Sequence, residues 1–138
     1  MDGPNPRWFP IALVIGALYF LFGVGFATLA SWAATNSGRV TWNRLGFLLS
    51  AAAFALHIAY EQFRIRSSPL LTATHVSTAV ALGAFALAVN ANIHGYRVGS
   101  NNKRLLAFAL VAWPAITAIP AFVVTLATAA LLALRRRR

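Results

Sequence analysis

The chain has 138 residues, of which 59% are hydrophobic and only 10% are charged, and its mean hydropathy is +0.69. A soluble fold this short has too little interior to hide so much apolar side chain, so the composition excludes an ordinary soluble domain and favours a protein surrounded by lipid. The net charge is +10 and there is no cysteine, which excludes disulfides, cysteine nucleophiles and thiolate-bound iron–sulfur clusters.

The charged residues exclude further classes of function. Asp2, in the N-terminal tail, and Glu61 are the only acidic residues, so the chain has no carboxylate pair for glycoside hydrolysis and no acidic cluster for Mg²⁺ or Ca²⁺. The basic residues lie between and after the apolar segments, with no nucleic-acid recognition motif. We therefore expect the lipid bilayer and its anionic headgroups as partners, and no nucleic acid.

Four apolar segments are each long enough to cross a bilayer, which takes about 20 residues. The last contains Pro114 and Pro120, but its fragments are too short to cross separately, so it predicts one kinked or tilted helix. The whole chain, residues 1–138, is predicted to be one all-α integral membrane domain, an antiparallel up-down bundle of four transmembrane helices. The predicted spans are about 10–31, 45–63, 70–91 and 105–134, with a loop over 35–44.

The connections and the small residues predict how the helices pack. The short segment 64–69 predicts that the second and third spans are antiparallel neighbours, and Ser68 followed by Pro69 predicts the start of the third span. Small residues at helical spacing predict faces where helices approach closely. These rows are Gly23, Ala27 and Ser31; Ala51, Ala55 and Ala59; and Ala79, Gly83 and Ala86.

The distribution of basic residues predicts the orientation. With four spans, the side that holds both termini carries seven basic residues, and the other side carries five. The positive-inside rule then places both termini in the cytoplasm, in the cell (inner or plasma) membrane. The seven are Arg7, Arg64, Arg66, Arg135, Arg136, Arg137 and Arg138, and the last four are also candidates for contact with lipid headgroups.

The hairpin formed by the second and third predicted spans contains the residues that could bind a metal, a haem or a proton. His57 and Glu61 are four residues apart and share a helix face. His57 precedes Arg64 by about 10 Å along the helix and His75 follows Pro69 by about 9 Å, so both imidazoles lie at similar depth. His57, Glu61 and His75 could bind a transition metal, hold a haem through the two histidines, or relay protons.

A structural role is the alternative for the same residues. Glu61 is close in sequence to Arg64 and Arg66 and could pair with them at the membrane edge. The two histidines could bond to each other, or to Thr74 or Thr78, and hold two helices together. His94 follows His75 by about 28 Å along the helix and is excluded from the cluster.

Three functions remain open. The first is a structural or accessory membrane bundle that associates with itself or with a larger complex, motivated by the small-residue rows. The second is a redox protein that binds haem or a divalent transition metal through His57 and His75, although the sequence requires no cofactor. The third is a small proton-coupled transporter that uses Glu61 and His57. None of these requires enzymatic activity, and no catalytic residue is assigned.

Overall fold

The computed structural model describes residues 8–99 and 102–135, and over these residues it is helical, with no strand. Asp2, Arg7 and Arg136–Arg138 lie outside the described residues. The four helices are α1 (Trp8–Trp32), α2 (Asn36–Ala59), α3 (Pro69–Arg97) and α4 (Lys103–Arg135), and a π-helical segment, Tyr60–Ile65, continues α2. The predicted all-α architecture with four long helices is confirmed.

The four helices are long and apolar enough to cross a membrane, by length and composition. Large apolar side chains such as Phe47 and Val111 are strongly exposed, whereas the largest fully buried side chains are mostly polar. An apolar exterior around a polar interior is the arrangement that lipid favours, since intramembrane polar groups face the bundle interior. These features indicate a multi-pass membrane protein.

The connection between α1 and α2 is much shorter than predicted. The sequence predicts a loop over 35–44, but α2 begins at Asn36 and only residues 33–35 separate the two helices. Thr35 is the N-cap, and its hydroxyl oxygen accepts a hydrogen bond of 3.1 Å from the backbone N–H of Gly38. The polar residues of this segment therefore start a helix instead of forming a loop, because turns and N-caps favour the same residue types.

The packing order differs from the order along the chain. α1 packs against both α2 and α3, and α3 packs mainly against α4 and α1. α2 has only sparse contact with α3, so the prediction that they are neighbours is met only weakly, and α1 is the helix that packs against both of them.

Small residues set the closest approach between α1 and α3. A Cβ added to Gly83 would lie 2.7 Å from the Cβ of Tyr19 and 3.0 Å from the carbonyl oxygen of Gly16. Gly83 and Ala79 are both buried, as their row predicts. The small-residue rows predicted on α1 and α2 are not buried in this way, because Ala27, Ser31, Ala51 and Ala55 are exposed.

The far end of α3 is held to α4 by an asparagine. Asn92 is buried, and its Nδ2 donates hydrogen bonds to the carbonyl oxygens of Leu106 (2.7 Å) and Ala88 (2.9 Å). α4 is a single helix that contains Pro114 and Pro120, as predicted.

Candidate functional site

The turn between α2 and α3 is built around the π-helical segment. An added residue per turn in a π-helix shifts the following side chains relative to an α-helix, and here both Glu61 and Gln62 are buried. The segment ends at Arg66, whose φ of 60° places it in the left-handed region. The turn then leads directly into α3, where Ser68 caps the helix and Pro69 occupies its first turn, as predicted.

Glu61 is the centre of the site. Its side chain is 0% exposed. The Oε1 atom lies 3.1 Å from Nδ1 of His75, and Oε2 accepts a hydrogen bond of 2.7 Å from the Ser67 hydroxyl. Both carboxylate oxygens therefore have a partner inside the protein.

The arginine pairing that the sequence suggested for Glu61 does not form. Arg64 and Arg66 are exposed, and within residues 8–99 and 102–135 the side chain of Glu61 contacts His75 and Ser67. The Glu61 carboxylate, which lies in the π-helical segment, meets His75 of α3 instead of an arginine. The carboxylate and the imidazole of the predicted cluster are thus brought together.

His75 is covered by the first residue of α1. The imidazole is 4% exposed, and the Trp8 indole stacks on it with a centroid distance of 4.6 Å and an interplanar angle of 4°. The indole supplies an apolar lid on the ring, whose Nδ1 meets Glu61. The start of α1 is therefore part of the site.

A second polar contact crosses the same turn. Gln62 Nε2 donates hydrogen bonds to Thr72 Oγ1 at 2.6 Å and to the carbonyl oxygen of Ser67 at 3.2 Å. Gln62 and Thr72 are both fully buried. This amide contact anchors the turn on α3 one helical turn before His75.

His57 is buried but is not hydrogen-bonded like His75. It is 3% exposed, and neither Nδ1 nor Nε2 has a hydrogen-bond partner in the described part of the chain. The two threonines suggested as its partners bond within α3 instead. The Thr74 hydroxyl donates to the carbonyl oxygen of Leu70, and the Thr78 hydroxyl donates to that of Thr74. The imidazole borders an apolar cavity of about 550 Å³ between α1 and α2.

The sequence identified part of the site. Glu61 and His75 bond directly, while His94 lies exposed near the end of α3, as the depth argument expected. The sequence argument missed four participants, namely Trp8, Gln62, Ser67 and Thr72. The two adjacent serines offered a weak signal, since only one of them is needed as the helix cap and the other is free to bond a side chain.

The contact between Glu61 and His75 joins a carboxyl group to an imidazole. Among the residues described, no group of three or more His, Cys, Asp and Glu side chains is placed so that it could hold a metal ion. The contact between Glu61 Oε1 and His75 Nδ1 can be made by an imidazole N–H or by a carboxylic O–H. The pair can therefore hold a proton on either partner and keep its hydrogen bond.

Comparison of the chain with protein-family models, with curated proteins and with solved structures finds no match. The functional argument consequently depends on the geometry of this site.

Proposed function

We propose that this protein is a small proton-coupled membrane transporter in which the buried Glu61–His75 pair, with His57 beside it, binds and releases the proton. The observation that supports the proposal most directly is the complete burial of Glu61 against His75. Ionisable residues inside a membrane are costly, and they commonly mark ion or proton pathways. A second acidic residue is not needed for one exchangeable proton.

The contacts of the pair support proton binding over a purely structural role. A helix-to-helix contact alone is made more cheaply by a neutral side chain, and Gln62 makes such a contact to Thr72 one position away. Glu61 instead brings a titratable carboxylate against a titratable imidazole. Such a pair changes its total charge when it gains or loses a proton, which a pair of amides cannot do.

Proton flux into sealed vesicles tests this function. The protein is reconstituted into liposomes that contain a pH-sensitive dye, with valinomycin and K⁺ to prevent a membrane potential, and the outside is acidified. Without a solute the assay measures the uncoupled proton flux of the transporter, which we expect to acidify the interior for the wild type and to fall to the rate of protein-free vesicles for Glu61→Gln. Glutamine keeps the size and a hydrogen bond but cannot carry the proton.

The matched control is His94→Gln, because His94 is an exposed histidine near the other end of α3. This variant should keep the wild-type rate. Circular dichroism and size-exclusion chromatography confirm that each variant is folded. Equal rates for the wild type and Glu61→Gln would overturn the proposal.

Infrared titration gives an independent measurement of the proton. The chain has only two acidic side chains, Asp2 and Glu61, so a protonated carboxyl band is readily assigned. We expect a pH-dependent carboxyl band that disappears in Glu61→Gln and persists in Asp2→Asn. A spectrum with no titrating band lost in Glu61→Gln would contradict proton binding by Glu61.

A self-associating or accessory bundle is the second candidate. It is favoured by the small-residue rows of α1 and α2, since Ala27, Ser31, Ala51 and Ala55 are exposed to the surroundings of the chain. If α2 forms the interface, Ala55→Trp should shift the protein from dimer to monomer in detergent sedimentation. Val111→Trp is the control, because Val111 is exposed on α4 outside these rows. A wild type that is monomeric at all concentrations would exclude this candidate.

The haem or metal hypothesis stays a prediction. Nδ1 of His75 already contacts Glu61, and Trp8 stacks on one face of the ring. A haem iron or a zinc ion would therefore have to bind the other ring nitrogen, Nε2. An absorption spectrum and metal analysis of protein purified from native membranes test the hypothesis. A colourless preparation without metal would exclude it.

We also propose that the four helices form an antiparallel bundle in the cell membrane, with both termini in the cytoplasm. The support is the excess of basic residues on that side, seven against five in the sequence. Of the terminal arginines, Arg135 ends α4 and is exposed, and this basic end is proposed to contact anionic headgroups. Labelling of a cysteine introduced at position 135 from outside intact cells would contradict this orientation.

A further inference from the structure

Two side chains contact the Glu61 carboxylate in the described part of the chain, and they decide how a proton reaches it. Glu61 is 0% exposed, so water does not touch its oxygens directly. Oε1 meets Nδ1 of His75, which is 4% exposed and is covered on one face by Trp8. Oε2 accepts a hydrogen bond of 2.7 Å from the hydroxyl of Ser67, a partly exposed residue of the turn. Ser67 therefore lies between the buried carboxylate and the exterior.

The turn itself is held by the main chain of Ser67 and not by its hydroxyl. The backbone N–H of Ser67 donates to the carbonyl oxygen of Glu61 at 3.1 Å, and its carbonyl oxygen accepts from Nε2 of Gln62 at 3.2 Å. The cap of α3 comes from Ser68, whose hydroxyl oxygen accepts from the N–H of Leu71 at 3.3 Å. The hydroxyl of Ser67 is thus positioned by contacts that do not depend on it, and its own bond goes to the carboxylate.

We propose that Ser67 is the proton-entry residue of the site, and that its hydroxyl passes protons between water at the turn and Oε2 of Glu61. A hydroxyl both donates and accepts hydrogen bonds, so Oγ can take a proton from a hydronium ion while its own proton moves to Oε2. The hydronium ion becomes water, the carboxylate becomes a carboxylic acid, and the serine is neutral before and after.

The inference assigns the side from which the site is loaded, which is the side of the turn between α2 and α3. It deepens the proposed transport function and rests on it for the role of the proton. The transfer step itself is measurable without transport, because Glu61 changes its infrared spectrum when it is protonated.

The rate at which Glu61 takes up a proton tests the role of Ser67. The full chain in lipid nanodiscs is brought to a pH above the midpoint of its carboxyl band, a caged proton is photolysed, and the rise of the band is followed by time-resolved infrared spectroscopy. All variants carry Asp2→Asn, which leaves Glu61 as the acidic side chain that is observed. We expect Ser67→Ala to slow the rise about tenfold or more, because it removes a positioned proton donor.

Two further variants separate the hydroxyl from the structure of the turn. Ser67→Thr keeps a hydroxyl and should keep the wild-type rate. Ser68→Ala is the matched control, because it removes the adjacent hydroxyl, whose bond is to Leu71, and it should also keep that rate. Each variant is started at the same distance in pH from its own midpoint, so that a changed affinity for the proton does not appear as a changed rate. Circular dichroism confirms that each variant is folded.

Equal rates for the wild type and Ser67→Ala would overturn the proton-entry role and would indicate that protons reach the pair past Trp8 and His75. A rise as slow in Ser67→Thr or in Ser68→Ala as in Ser67→Ala would also overturn it, because the structure of the turn would then set the rate instead of the hydroxyl.

The vesicle assay distinguishes this inference from the proposed function. Ser67→Ala should lower the proton flux while the carboxyl band still titrates, whereas Glu61→Gln should lose both. If Glu61→Gln keeps the flux and Ser67→Ala slows the rise of the band, the transport function fails and the proton-entry role stands. If the flux depends on Glu61 and the band rises equally fast in Ser67→Ala, the proton-entry role alone fails.

Discussion

The contact between Glu61 and His75 makes a quantitative prediction for stability. Glu61→Leu removes the hydrogen-bond partner of the His75 imidazole and the acceptor of the Ser67 hydroxyl. Ser67 is partly exposed and can turn to water, whereas His75 is 4% exposed and cannot. His75→Leu is the reciprocal change, and it leaves a buried carboxylate with Ser67 as its remaining partner.

The expected magnitudes follow from this burial. Removing one member of a buried hydrogen-bonded pair costs about 1–3 kcal/mol, and more when the remaining group is charged, because that group is left without a partner. The double variant leaves neither group and puts two apolar side chains in contact. Its loss of stability should therefore be smaller than the sum of the single losses, with a coupling free energy of about 2–3 kcal/mol.

The assay is equilibrium unfolding in mixed micelles with increasing dodecyl sulfate, followed by circular dichroism. The wild type, both single variants and the double variant give the coupling free energy. His94→Leu is the control, and it should change stability by less than about 0.5 kcal/mol because His94 is exposed. Additive effects of the two substitutions, within about 0.5 kcal/mol, would refute a direct Glu61–His75 contact.

Two backbone predictions use the same unfolding measurement. Gly83→Ala should lower the free energy of unfolding by about 1–3 kcal/mol, because its Cβ would lie 2.7 Å from that of Tyr19. Gly25→Ala is the control: a Cβ there has nothing within 4 Å, so the variant should stabilise α1 by up to about 1 kcal/mol. If the two variants had equal stability, α1 and α3 would not cross at Gly83. Arg66→Gly should stabilise the turn by about 0.5–1 kcal/mol, since φ is 60° there. Arg64→Gly, inside the π-helical segment, should destabilise it by about 1 kcal/mol, and a loss in both variants would contradict the left-handed turn.

The sequence by itself determined the number of helices and most of their extent. A helix that crosses a bilayer needs a fixed length of apolar residues, so composition alone separates four such segments. The cap formed by Ser68 and Pro69 was also predictable, because capping depends on neighbouring residues. The start of α2 was not predictable, since Thr35 and the polar residues after it are equally suited to a loop.

Only the tertiary structure decided which helices are neighbours. In a membrane protein the lipid-facing and protein-facing sides of a helix are both apolar, so hydrophobic periodicity gives little information about packing. The packing of α1 against both α2 and α3 depends on close contacts such as Gly46 with Phe26 and Gly16 with Gly83. The exposed alanines of α2 have the same spacing in the sequence as the buried small residues of α3.

The contacts within the site were likewise not predictable from the sequence. Counting residues from the turn predicted that His57 and His75 lie at similar depth, with Glu61 one turn nearer the membrane edge, because helical rise is constant. It could not determine whether Glu61 pairs with an arginine at the surface or with His75 inside, since that depends on the π-helical segment and on the contact with α3. The tertiary structure paired Glu61 with His75 inside the protein, and this contact supports the proposed proton site.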